Sequence, residues 1–172
     1  EDERIRLRSG LWIVPLSSLK DREHRTEPFR VPLSPRAVEI LHEMQQIRVN
    51  DLVFPSPRQK MFTDMAMLVL VRRMNALSEK PVWIDPADDR PIVPHGFRSS
   101  FKTWCEEIAT FRNSVVEEAM GHAVGNAVER AYKRTDLLEQ RRKLMNAWAV
   151  HCEPKDANVI AFPSKGVLPP HN

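Results

Sequence analysis

The sequence predicts an α+β domain, mainly α, in which a small N-terminal antiparallel three-stranded sheet packs on a helical bundle. Three observations predict it. The segment through Val31 alternates apolar and polar residues with period two between turn residues, as half-buried strands do. From Ser34 onward, apolar residues recur at helical spacing and line single helix faces. A chain that runs strands first and helices afterwards sorts them into an α+β architecture, not into interleaved βαβ units.

The first strand is Arg4-Ile5-Arg6-Leu7-Arg8, followed by the turn signal Ser9-Gly10 and a second strand, Leu11-Trp12-Ile13-Val14. A charged connection from Ser17 to Glu27 leads to a third short strand, Phe29-Arg30-Val31, before Pro32. Ser34-Pro35 is an N-cap with proline at the first helical position, and Ala37, Ile40, Leu41, Met44 and Ile47 share the face of the helix that follows. Thr63 or Asp64 is expected to cap the next helix. Its segment from Met65 to Val71 is apolar nearly all round and is expected to be deeply buried. The stretch from Lys80 to Pro94 holds Pro81, Pro86, Pro91 and Pro94 and reads as a loop. Phe97, Phe101, Trp104, Cys105 and Ile108 then mark a helix stripe. Ser114-Val-Val-Glu117 reads as a capping box for a short helix that Gly121 ends. A further short helix is expected from Ala127 to Tyr132. A second capping box, Asp136 with Glu139, opens a final helix faced by Leu137, Leu138, Arg141, Leu144, Met145 and Trp148. Beyond Cys152, a tail with one apolar patch, Val159–Phe162, is expected.

The chain has 172 residues, 42% hydrophobic and 28% charged, enough for one domain with a sizeable core and unlike a disordered chain. No apolar run approaches the roughly eighteen residues of a membrane span, and no leader-like segment opens the chain, so neither membrane nor secretion is expected. Cys105 and Cys152 make no metal or redox spacing and suit a cytoplasmic location. A net charge of +3 and a pI near 9.1 permit a nucleic-acid partner without demanding one. Tyr132 stands alone against seven phenylalanines and four tryptophans, so any chemistry that needs a phenol has one candidate.

Chemistry concentrates in two places. In His95-Gly96-Phe97-Arg98, a histidine at a helix mouth and an arginine one turn in share the end of the helix that favours anions. Together they can hold a phosphate, although a surface histidine and arginine at a helix start is the ordinary reading of so short a pattern. Next, Met120-Gly121-His122 precedes Tyr132 by ten residues, and Arg130, Lys133 and Arg134 flank the tyrosine. Cationic neighbours stabilise a phenolate, which suits a nucleophile. The aspartates Asp85, Asp88 and Asp89 lack a recognised metal-ligand pattern.

In order, H-G-F-R-S-S-F, M-G-H, A-Y-K-R and L-L-E-Q-R-R-K-L-M-N-A-W resemble the catalytic domain of tyrosine recombinases, the phage integrase family, and most of all the integrases of satellite phages and genomic islands. L-W-I-V-P, R-V-P-L-S and Val53-Phe54-Pro55-Ser56 agree, so the resemblance runs from about Leu11 to Val150. It implies the fold of DNA breaking-rejoining enzymes. It also implies site-specific recombination, the integration or excision of a mobile element, through a 3′-phosphotyrosyl intermediate. Tyr132 matches the nucleophile, His95 and Arg98 the H-x-x-R pair, and His122 the histidine of the G-H motif. Lys20 is the best match to the general-acid lysine, with Arg22, His24 and Arg25 as neighbouring competitors. No metal or other cofactor is required.

The same resemblance leaves one catalytic arginine unmatched, that of a T-G-x-R-like motif on a helix ahead of the first strand. The expectation is therefore a catalytic domain over residues 1–152 that lacks this helix and is nearly inactive alone, followed by a tail at 153–172. DNA is expected to be gripped through phosphates by Lys102, Lys133, Arg134, Arg141 and Arg142. The implied partners are double-stranded attachment sites and a homotetramer formed on DNA by the full-length protein, the piece alone being monomeric or weakly associated. A non-catalytic DNA-binding relic of the same fold, or a topoisomerase- or resolvase-type relative, is the alternative.

Overall fold

The computed structural model describes residues 4–19, 25, 27–77, 83–122 and 135–153. Three strands form the expected sheet: β1 (Ile5–Arg6), β2 (Leu11–Val14) and β3 (Phe29–Pro32), in that order and antiparallel. Ile5 pairs with Trp12, and Val14 pairs with Phe29. The first strand is shorter than its alternation suggests, because Leu7–Ser9 winds into a 3-10 turn. Gly10 closes that turn at φ +58°, a left-handed conformation that glycine adopts without a Cβ penalty. Its N–H reaches the Leu7 carbonyl at 3.0 Å, while its own carbonyl accepts from Leu33 at 2.9 Å.

Helix α1 (Pro35–Gln46) begins as its sequence dictates: Ser34 Oγ accepts the Ala37 N–H at 3.3 Å, with proline just inside the start. Ala37, Ile40, Leu41 and Met44 are half-buried, but Ile47 falls past the end of the helix and is exposed. Helix α2 (Ala66–Ala76) corrects two expectations. No side chain caps it; the Thr63 carbonyl accepts the Ala66 N–H instead. Nor is it deeply buried. Only Val71 is, while Met65, Met67, Val69 and Leu70 are exposed, because the described core lies elsewhere and α2 contributes no member to it.

The expected proline-rich loop contains a small hairpin, β4 (Ile84–Asp85) with β5 (Arg90–Pro91). Its aspartates serve the turn. Asp85 Oδ1 accepts from the Ala87 N–H at 2.9 Å and Asp88 Oδ1 from the Arg90 N–H at 3.1 Å. Asn75 at the end of α2 holds this region by exchanging two hydrogen bonds with the Trp83 backbone.

Helices α3 (Gly96–Glu107), α4 (Asn113–Ala119) and α5 (Leu138–Cys152) build the core. Trp104 and Cys105 of α3, Val115 and Val116 of α4, and Leu144 of α5 are buried against one another. Phe101, Trp104, Trp148 and His151 extend the cluster, with ring centroids 5.1 to 5.3 Å apart at the Trp148 contacts. Trp148 thus packs α5 onto α3.

Neither expected capping box forms. The N-cap position of α4 is Arg112, with no side-chain hydrogen bond, and that of α5 is Leu137 at φ +56°. Both acidic partners are taken by side chains of other residues instead. Asp136 receives Arg30 Nε at 2.9 Å and Arg141 Nη2 at 2.8 Å, which ties α5 to β3. Burial pushes the Asp136 carboxyl up, but hydrogen bonding and charge from Arg30 and Arg141 bring it net below the ordinary aspartate value. The expected helix at 127–132 and the tail with Val159–Phe162 lie outside the described residues.

Candidate active site

The site forms where the N-terminus of α3 meets the C-terminus of α4. His95 occupies the N-cap position of α3 and is exposed, and its carbonyl accepts the Arg98 N–H at 3.2 Å. Arg98, one turn in, turns its guanidinium toward the end of α4. There Nη2 donates to the Met120 carbonyl at 3.0 Å and contacts His122 Nε2.

His122 is delivered by a backbone device that the sequence spells out. Gly121 takes φ +77°, its N–H bonds the Glu118 carbonyl at 3.0 Å, and the His122 N–H bonds the Glu117 carbonyl at 3.0 Å. This is a Schellman motif with glycine at its left-handed position. It turns the chain so that the imidazole of His122 lies back over the last turn of α4, where its Nδ1 sits 2.5 Å from Glu117 Oε2. The other carboxylate oxygen, Oε1, accepts Lys102 Nζ at 2.8 Å.

The protonation pattern follows from these contacts. A guanidinium has only donors, so a hydrogen bond from Arg98 to His122 Nε2 requires the ring proton on Nδ1, where Glu117 can accept it. The hydrogen bond from Lys102, and then that from His122, hold the Glu117 carboxyl below the ordinary range. The same bond to Glu117 raises Lys102. The result is a hydrogen-bonded chain, Lys102–Glu117–His122–Arg98, exposed at the arginine end.

The connection between β2 and β3 also reaches the site. Arg25 Nη2 donates to the Gly121 carbonyl at 3.0 Å, and its Nη1 lies 3.6 Å from Glu118. Its guanidinium stacks over the Phe29 ring at 4.8 Å from the centroid. Arg25, a competitor for the lysine's role from sequence, is therefore committed to holding the Gly-His turn.

Of the residues expected to act on DNA, the structure brings together the side chains of Arg98 and His122 and places His95 one turn from Arg98, joined to it through the backbone. Lys20, Tyr132, Lys133 and Arg134 lie outside the described residues. Lys102 faces Glu117 and, at 3.8 Å, Glu106. The expectation for Arg141 is corrected. Its side chain is 0% exposed and committed to Asp136 and, through Nη1 at 2.6 Å, to the Arg30 carbonyl, so it presents nothing to a phosphate. Arg142, half-buried, turns one nitrogen to the Gly10 carbonyl at 3.3 Å. Sequence reasoning assigned Glu117 to a helix cap and missed its place in the site. The signal was available: a carboxylate three places before the cap of a helix ending in Met-Gly-His lies directly beneath the histidine.

The profile of the phage integrase family matches residues 2–139. The chain is 31% identical over 165 residues to prophage integrase IntA of Escherichia coli (strain K12), an alignment covering 93% of this chain and 35% of IntA. It is 26% identical over 157 residues to prophage integrase IntS of the same organism, covering 83% of this chain and 36% of IntS. The chain thus spans about a third of the length of these relatives. No solved structure matches it significantly.

Proposed function

Because the chain belongs to the phage integrase family, we propose that it carries the strand-cleaving and rejoining chemistry of site-specific DNA recombination. The observation that carries this reading is the meeting of Arg98 and His122, 24 positions apart, beside the N-terminus of α3. An arginine fork and an imidazole meet there, the two kinds of side chain that can serve the non-bridging oxygens of a phosphodiester.

Phosphoryl transfer asks a protein mainly for positioning and charge stabilisation. Tyr132 Oη attacks the phosphorus. A phosphotyrosyl bond forms as the bond to the 5′ oxygen breaks, and Lys20 gives that oxygen a proton. Arg98 leaves His122 to bind the non-bridging oxygens with its fork, and His122, once protonated at Nε2, donates to the same phosphate. His95 assists removal of the Tyr132 proton or donates to the phosphate. A second DNA 5′-hydroxyl reverses the sequence and rejoins the strands. The substrates are double-stranded attachment sites, synapsed by a tetramer.

The test offers nicked suicide duplexes from a random-sequence library to the chain extended by the upstream segment expected to supply the unmatched arginine, and captures covalent adducts. A 3′-phosphotyrosyl adduct that disappears in Tyr132→Phe is expected. Tight binding with no adduct would assign the chain to the non-catalytic relics, and an adduct surviving in Tyr132→Phe would remove the nucleophile.

A further inference from the structure

Glu117 contacts His122 twice, through a backbone carbonyl at 3.0 Å and a carboxylate oxygen at 2.5 Å. Among the described residues of the site, its side chain is bonded to both a cation and the histidine ring, since Lys102 occupies its second oxygen. Its side chain is 18% exposed against 45% for His122, so the carboxylate is sheltered behind the ring. We propose that Glu117 is a positioning residue of the site: it keeps the ring proton on His122 Nδ1 and fixes the ring plane, so that Nε2 is the nitrogen presented beside Arg98 to the phosphate. This rests on the proposed phosphoryl transfer.

The chemistry follows from the two nitrogens. An imidazole fixed at Nδ1 by a carboxylate has one defined working nitrogen and cannot flip its ring without losing a charge-assisted bond. When Arg98 moves to a phosphate, Nε2 is released already aimed; it donates to a phosphate oxygen by gaining a proton, and the carboxylate behind the ring stabilises the resulting cation. Lys102 keeps Glu117 an acceptor throughout. Its charge therefore serves the carboxylate and not a DNA phosphate, which replaces the role expected for it from sequence.

The test has a DNA-free arm and a DNA arm. In ring 15N spectra of the full chain without DNA, His122, assigned by comparison with His122→Asn, is expected as the Nδ1–H form. Glu117→Leu should lose that form, and Glu117→Gln, whose amide oxygen still accepts from Nδ1–H, should retain it. With the captured suicide duplex, Glu117→Leu should slow single-turnover adduct formation by about tenfold to a hundredfold with DNA affinity unchanged, the scale seen for partners that orient metal-bound histidines. Glu117→Gln should recover most of the rate. A wild-type His122 in the Nε2–H form overturns the proposal whether or not the variants fold, and so does an unaltered cleavage rate in Glu117→Leu. Should the wild type form no adduct, the proposed function fails, while the spectra still decide the role of Glu117 at the ring.

Discussion

Arg25 and Gly121, 96 positions apart, are joined by a 3.0 Å hydrogen bond from guanidinium to carbonyl. That bond pins the connection between β2 and β3 to the turn that presents His122. It also accounts for a buried carboxylate, since Glu118, 5% exposed, has Arg25 for an ion-pair partner. Arg25→Ala is expected to lower stability by about 1.5–3 kcal/mol, the range for hydrogen bonds to charged groups. Urea unfolding checks it, and an unchanged midpoint would show the bond to be unimportant in solution.

Gly121→Ala isolates a backbone cost. A Cβ there would meet Phe29 at 3.7 Å, an ordinary contact, so space is not the obstacle. The left-handed φ of +77° is. A loss of about 1–2 kcal/mol is expected. A larger loss would mean that the Gly-His turn itself had rearranged, and a neutral result would refute the strain argument.

Acid should weaken the tie between α5 and β3. Asp136 has its folded-state carboxyl below the ordinary value, so its contribution is present above that value and is lost as pH falls through the lower, folded-state one. Asp136→Asn removes the contribution at all pH values and leaves Arg141 buried without its countercharge. A cost of about 3 kcal/mol near neutrality is therefore expected. The difference between wild type and variant should shrink as pH drops below about 4, the ordinary aspartate value. A difference independent of pH, measured by denaturant unfolding across this range, would contradict the assignment.

The two thiols should behave differently. Cys105 is 1% exposed and burial pushes its thiol up to about 11, whereas Cys152 is exposed at the end of α5. A thiol reagent applied to the native chain at neutral pH is expected to modify Cys152 and to reach Cys105 only after unfolding. Equal rates for the two would mean that the packing between α3 and α4 opens readily.

What could be read from sequence was what local periodicity and stereochemistry control. The strand around Trp12, the Ser34-Pro35 helix start, the Phe101/Trp104/Cys105 stripe and the Gly121 stop each depend on neighbours a few positions away. The pairing of Arg98 with His122 was legible only through the order of several motifs. Errors came where distant partners decide. Glu117 and Asp136 carry the spacing of helix caps but are taken by His122 and Arg141, five positions away, and by Lys102 and Arg30, which no local window contains. Arg141 falls on the packing face of the last helix by its spacing, and the structure buries it there instead of offering it to DNA. An apolar helix such as α2 states that it can be buried but not that anything covers it.

Arg141 has one more consequence, for motion. Its guanidinium binds the Arg30 carbonyl in β3 and the Asp136 backbone and side chain ahead of α5, so neither segment can loosen while it stays seated. The last helix should not fray from its first turn inward, and the sheet edge should not peel away alone. Amide deuterium uptake in β3 and in the opening turn of α5 is expected to follow one shared opening event, with a common free energy, making strand and helix a single cooperative unit despite more than a hundred intervening positions.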